Sequence, residues 1–233
     1  MTSFFQDNIN LNRMNAMFKM QDVSPKTQSH LSKVYGNVMV CALVCAGGMW
    51  INAYTILNGF FMSIAVMMGM GYLIYQVSSP YKPENERMGY MWALAFCLGF
   101  LVGPAMHQIV ELDPSIIMNA VFITGVMFAS FTAVSLFSKR RSYLFLGGII
   151  SSLLSAMFMY RLFSWITGYG SMHGLGYLMI SLLVACMYIV YDTQMIIERC
   201  EVFGERDVPK HTMILFMDLF DLFIKIVQLL LEL

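Results

Sequence analysis

Charge is what this chain has least of. Only 12% of its 233 residues are Asp, Glu, Lys or Arg, about half of what a soluble domain carries, and 58% are hydrophobic. An ordinary soluble domain is therefore excluded, and a formal net charge of zero favours neither nucleic acid nor an acidic partner. Cysteine is scarce, with five residues. Cys41, Cys45, Cys97 and Cys186 lie inside apolar runs, Cys200 falls in a polar loop, and no disulfide or metal-ligand spacing emerges. The thiols read as reduced and structural. A signal peptide is lacking as well, because residues 1–33 are polar and mixed in charge. There is no nucleophile elbow, no His-Glu-x-x-His and no glycine-rich phosphate loop. A paired-aspartate membrane protease would need a glycine-rich motif around one acid, whereas Asp218 is flanked by Met217 and Leu219. The expectation is a protein that is not an enzyme and has no cofactor.

What is present is long apolar sequence. No charged residue occurs between Lys33 and Lys82, room for two crossings at about 20 residues each, with Asn58-Gly59 as the turn. The pattern predicts an all-α polytopic membrane protein of one domain. A cytosolic tail, 1–33, precedes seven spans at 34–57, 60–77, 89–110, 116–137, 143–163, 174–197 and 212–231. Phe4, Leu11, Met14 and Phe18 would line one face of a surface helix, or belong to a floppy tail. Gly99 and Gly103 before Pro104 predict close helix contact and a kink, and Gly147, Ser151 and Ser155 predict a second close-packing stripe. The 23 Met residues, scattered through every span, suit adaptable packing better than copper handling.

Twelve of the 14 Lys and Arg residues fall in the tail and in the loops 78–88, 138–142 and 198–211, Lys139-Arg140-Arg141 among them. The loops on the other side carry none, so the positive-inside rule predicts a cytosolic N-terminus. Arg161 and Lys225 are left over. The last span, with its internal charges, either crosses or dips and returns.

Those charges are the functional signal. Asp192 lies about five residues before the polar end of span six, and Asp218 about six residues into span seven. At 1.5 Å per residue both fall roughly 8–10 Å below the cytosolic surface. An ionised Asp at a helix centre costs roughly 2.5–3.5 kcal/mol, so two at one depth on adjacent helices are a site hypothesis. Burial and a second carboxylate both favour the protonated acid, and the pair would hold one proton near neutral or mildly acidic pH. That proton latches two helices, whereas its loss leaves facing anions that attract a hard divalent cation. The physics proposes a pH-sensitive gate on a cation path. Asp221 lies one turn deeper, with Lys225 four residues on to neutralise it. Arg199, next to Glu198, would reach the gate from the water side. The bland alternative is that Asp192 bonds neighbouring hydroxyls and the later charges form an interfacial polar face. His107 reads as an interfacial histidine and His211 as a loop histidine near the gate.

The chain resembles the Bax inhibitor-1 family, the transmembrane Bax inhibitor motif proteins. The likeness runs from His30-Leu31-x-x-Val34-Tyr35 through Glu86-Arg87-x-Gly89, Gly103-Pro104 and Lys139-Arg140-Arg141-x-Tyr143-Leu144. It closes with Tyr191-Asp192-Thr193-Gln194, Gly204-x-x-Asp207-x-x-Lys210-His211 and Leu215-Phe216-x-Asp218. The resemblance implies seven helices with the last one central, residence in the endoplasmic reticulum or another intracellular membrane, and a pH-sensitive calcium leak controlled by Asp192 and Asp218. Calcium would be the transported ion, held by those two acids. The resemblance also implies suppression of cell death in association with Bcl-2-type proteins, either alongside conduction or as a non-conducting scaffold. Two features depart from the family pattern. Asp221 stands where members more often carry an uncharged residue, and the lysine-rich tail of many animal members has no counterpart after Glu232-Leu233.

Overall fold

The computed structural model describes residues 23–54, 60–138, 143–168 and 174–232. The tail before residue 23, the Asn58-Gly59 turn and Lys139-Arg140-Arg141 lie outside the described residues. Within them every regular element is a helix: α1 (Pro25–Tyr54), α2 (Phe60–Ser78), α3 (Glu84–Leu112), α4 (Pro114–Phe137), α5 (Leu146–Thr167), α6 (Leu175–Val202) and α7 (Val208–Glu232). Five of them, α1 and α3 to α6, are long and apolar enough to cross a membrane. The chain is an all-α, multi-pass membrane protein.

Several helices overrun the spans expected from hydropathy. α1 begins at Pro25 rather than 34, α3 at Glu84 rather than 89, and α6 continues to Val202 rather than 197. Hydropathy registers apolar length, while local chemistry fixes helix ends. The amide of Thr27 reaches Ser24 Oγ at 3.4 Å just ahead of Pro25, which combines a serine cap with proline at the first helical position. The extension of α6 corrects the reading of Cys200, which sits in a helix at 1% exposure and not in a polar loop.

α1 and α3 pack backbone to backbone. A Cβ added at Gly99 would stand 1.9 Å from the Cys45 carbonyl oxygen, one at Gly48 2.4 Å from that of Phe96, and one at Gly103 2.7 Å from that of Met49. Only glycine permits that approach. α3 runs on through Pro104, which has no N–H for the carbonyl four residues earlier, that of Phe100. Asn52 of α1, 3% exposed, donates its Nδ2 to the Phe100 oxygen instead. An unpaired backbone carbonyl at this depth is costly. Asn52→Ala should therefore lower stability by about 1–3 kcal/mol, and much less in a Pro104→Ala background, where the helix supplies its own donor. A double-mutant cycle on detergent unfolding measures that coupling.

The second small-residue stripe does not pack as expected. Gly147 lies under the Tyr191 ring, where a Cβ would come within 2.9 Å of it. Ser151 and Ser155 are exposed, and their hydroxyls bond back to the Gly147 and Ser151 carbonyls of their own helix. α5 thus stands at the rim, in contact with α6.

α7 holds the centre, packing against α1, α2, α3, α4 and α6. Leu215, Phe216, Leu222, Ile226 and Val227 face inward at 2% exposure or less. Its start is fixed twice. Asp207 Oδ1 accepts from the Lys210 amide at 3.1 Å, an N-cap, and Asp207 Oδ2 pairs with Arg87 Nη2 at 2.6 Å. Arg87 Nε also donates to the Val77 carbonyl at 2.7 Å, tying the end of α2 to the same point.

Candidate functional site

The α6–α7 connection sets the geometry of the site. Gly204 takes φ 66°, the left-handed conformation that ends a helix cheaply only at glycine. The amides of Phe203 and Glu205 both bond the Arg199 carbonyl. The chain turns within five residues and re-enters as α7. Asp192 is ten residues before the last residue of α6 and Asp218 ten after the first residue of α7. The two legs match, about 15 Å each, so both acids reach one depth.

They meet there. Asp192 and Asp218 line one cavity of about 400 Å³ with Ile74, Tyr188, Met217 and Asp221, and their carboxyl groups contact each other. Both residues are half-buried, and Oδ2 of Asp218 is buried without a hydrogen-bond partner among the described residues. Ile214, Met217, Asp218 and Asp221 present one stripe of α7 to this cavity and Tyr188 and Asp192 one stripe of α6, at the three- and four-residue spacings of a helix face.

The four residues of the Tyr191 motif point to different neighbours. Tyr191 covers Gly147 of α5. Asp192 enters the cavity. Thr193 Oγ1 lies 3.1 Å from the Tyr35 hydroxyl of α1. Gln194 Nε2 donates to the Ser135 carbonyl of α4 at 2.7 Å, and Ser135 Oγ donates to the Val190 carbonyl at 3.0 Å. Three neighbouring helices thereby fix the rotation of α6 and the direction of Asp192.

The supporting charges divide. Lys225 Nζ donates to Asp221 Oδ2 on the exposed side of the cavity. Arg199 acts on Asp192 through space. Glu198 is buried at 8% exposure and does not line the cavity. His107 pairs with Glu111 at 3.4 Å, away from the aspartates. His211 is not a loop histidine. It lies in the first turn of α7, fully buried, 2.8 Å from Nε2 of His30. The Arg87–Asp207 and His30–His211 pairs have no periodicity to reveal them. Their only trace in the sequence is that all four belong to the motifs quoted above, without a role attached.

Residues 27–232 match the profile of a family described as "Inhibitor of apoptosis-promoting Bax1". The chain belongs to this family, the Bax inhibitor-1 family. It is 35% identical to Bax inhibitor 1 of Bos taurus over 219 residues, which cover 92% of this chain and 91% of the bovine protein. It is 34% identical to Bax inhibitor 1 of Homo sapiens over 221 residues, 92% of this chain and 90% of the human one. Against Bax inhibitor 1 of Arabidopsis thaliana it is 32% identical over 213 residues, 91% of this chain and 84% of the plant protein. For a Bax inhibitor-1 member the matched region takes in all seven described helices, from the first turn of α1 to the end of α7.

Proposed function

We propose that the chain is a calcium-permeable leak of an intracellular membrane, such as the endoplasmic reticulum, switched by protonation of Asp192 and Asp218. It would serve in the suppression of cell death, in line with the family description "Inhibitor of apoptosis-promoting Bax1". The observation that carries this reading is the contact of two carboxyl groups from adjacent helices in one cavity of about 400 Å³. With one proton between them, the acids hydrogen-bond and hold α6 to α7. With none, two anions face each other, and the separation that relieves them offers hard oxygen ligands to a divalent cation. The Lys and Arg distribution supports a cytosolic N-terminus and an acid pair entered from the cytosolic side. No step makes or breaks a covalent bond, so we read the chain as no enzyme.

The purified protein in calcium-loaded liposomes tests the proposal. Calcium should leave at a rate that changes between mildly acidic and mildly alkaline pH. No flux above protein-free liposomes at either pH would leave the second reading, a non-conducting scaffold for Bcl-2-type proteins. The family description, with its reference to Bax1, favours that alternative.

A further inference from the structure

Away from the aspartates, the ends of α1, α6 and α7 bring together His30, Cys200 and His211, exposed by 5%, 1% and 0%. His30 Nε2 and His211 Nδ1 are 2.8 Å apart, with the rings nearly perpendicular at 83°. A ring nitrogen from each histidine and the Cys200 sulfur all lie within 4.8 Å of one another. Cys200 and His211 flank the α6–α7 turn, but His30 comes from the far end of the chain, so the fold and not local sequence completes the group. The hydrogen bond between the imidazoles leaves His211 incompletely satisfied, because its Nε2 is buried with no hydrogen-bond partner among the described residues. Burying a polar atom in that state costs free energy.

We infer that His30, Cys200 and His211 form a binding site for a borderline-soft divalent ion of the zinc class, separate from the aspartate cavity. Two imidazoles and a thiolate suit zinc and disfavour calcium or magnesium, which want oxygen. With Zn–N near 2.0–2.1 Å and Zn–S near 2.3 Å, donors around a tetrahedral centre stand about 3.3–3.7 Å apart. The donor atoms, all within 4.8 Å of one another, need to shift by about an ångström at most to reach that spacing, movements within the reach of side chains. On binding, the Cys200 thiol releases one proton to solvent and the imidazoles remain neutral. Around the group, Glu205 and Asp207 are already paired with Lys210 and Arg87, and Arg199, Arg206 and Lys33 lie nearby, so the thiolate is the group's own offset to the charge of the ion. Cys200 follows Asp192 by eight residues and His211 precedes Asp218 by seven, so the ion would clamp three helix ends about two turns from the acid pair.

Titration of the purified full chain with Co²⁺ alone tests this site. One ion per chain should bind with a near-ultraviolet thiolate-to-cobalt band, and one equivalent of Zn²⁺ should erase the band. Cys200→Ser should abolish it, whereas a chain with Ser at positions 41, 45, 97 and 186 should keep it. His211→Ala should weaken binding by more than about 100-fold, beyond the usual cost of losing an outer-shell partner. A band that survives Cys200→Ser, or its absence from the native chain, overturns the inference. Cys200→His guards against a misfolded serine variant. It should retain Zn²⁺ and lose the band, and failure to bind Zn²⁺ in a monodisperse sample also counts against the site. Cobalt held by Asp192 and Asp218 would give no thiolate band, so this result and the calcium reading fail separately.

Discussion

Asp218→Asn is expected to flatten the dependence of calcium flux on pH. The amide keeps the shape of the acid and can still hydrogen-bond to Asp192, but it carries no exchangeable charge. Two unit charges about 4 Å apart repel by about 4 kcal/mol at an effective dielectric of 20, enough to bias a two-state element by roughly a thousandfold. Either substitution removes that whole difference, because a repulsion needs both partners. Asp192→Asn should match Asp218→Asn, and the double variant should add little to either, the mark of coupled groups. Asp221→Asn should leave the pH response in place, since Lys225 already matches that charge. Flux measured in liposomes across the same pH interval separates these outcomes. An unchanged response in Asp218→Asn would end the two-acid reading.

The second large effect concerns the fold. Gly99→Ala should destabilise the protein even though alanine is the better helix former by about 1 kcal/mol. The new methyl meets a backbone carbonyl at 1.9 Å, which cannot step aside without moving α1. Overpacking of this kind costs about 1–3 kcal/mol or more, so the steric effect outweighs propensity. Gly36→Ala, with nothing within 4 Å of the added atom, should be neutral or gain up to about 1 kcal/mol. Unfolding in mixed detergent, followed by tryptophan fluorescence, ranks the two against the native chain. Equal stability of Gly99→Ala and native protein would mean that α1 and α3 do not pack at that distance.

The features that lipid makes expensive were the ones legible in sequence. Apolar length predicts the helices, small residues at four-residue spacing predict that α3 makes a close helix contact, though not that α1 is its partner, and acids in apolar surroundings predict that Asp192 and Asp218 share a depth. Asp192 and Asp218 could be paired beforehand because both lie about equally far from one short turn. That comparison survives the error in helix ends, since α6 and α7 both extend into the turn. The stripe from Gly147 to Ser155 failed because small residues also suit a helix facing lipid, and the serines spend their hydroxyls on their own backbone. His30 and His211 were illegible as a pair. They are 181 residues apart, and only tertiary folding says that they touch. Asn52 is similar, because the carbonyl it serves is orphaned by a proline on another helix.

The equal legs of the α6–α7 hairpin turn chain length into a ruler. Deleting one residue between positions 193 and 202 would swing Asp192 by about 100° around its axis and shift it about 1.5 Å along it, taking it off the cavity wall. Adding seven would restore its heading, yet leave it about 10 Å out of step with Asp218. The 25 residues that separate the two acids are therefore closed to insertion and deletion within the helices, and length variation can accumulate only in the turn.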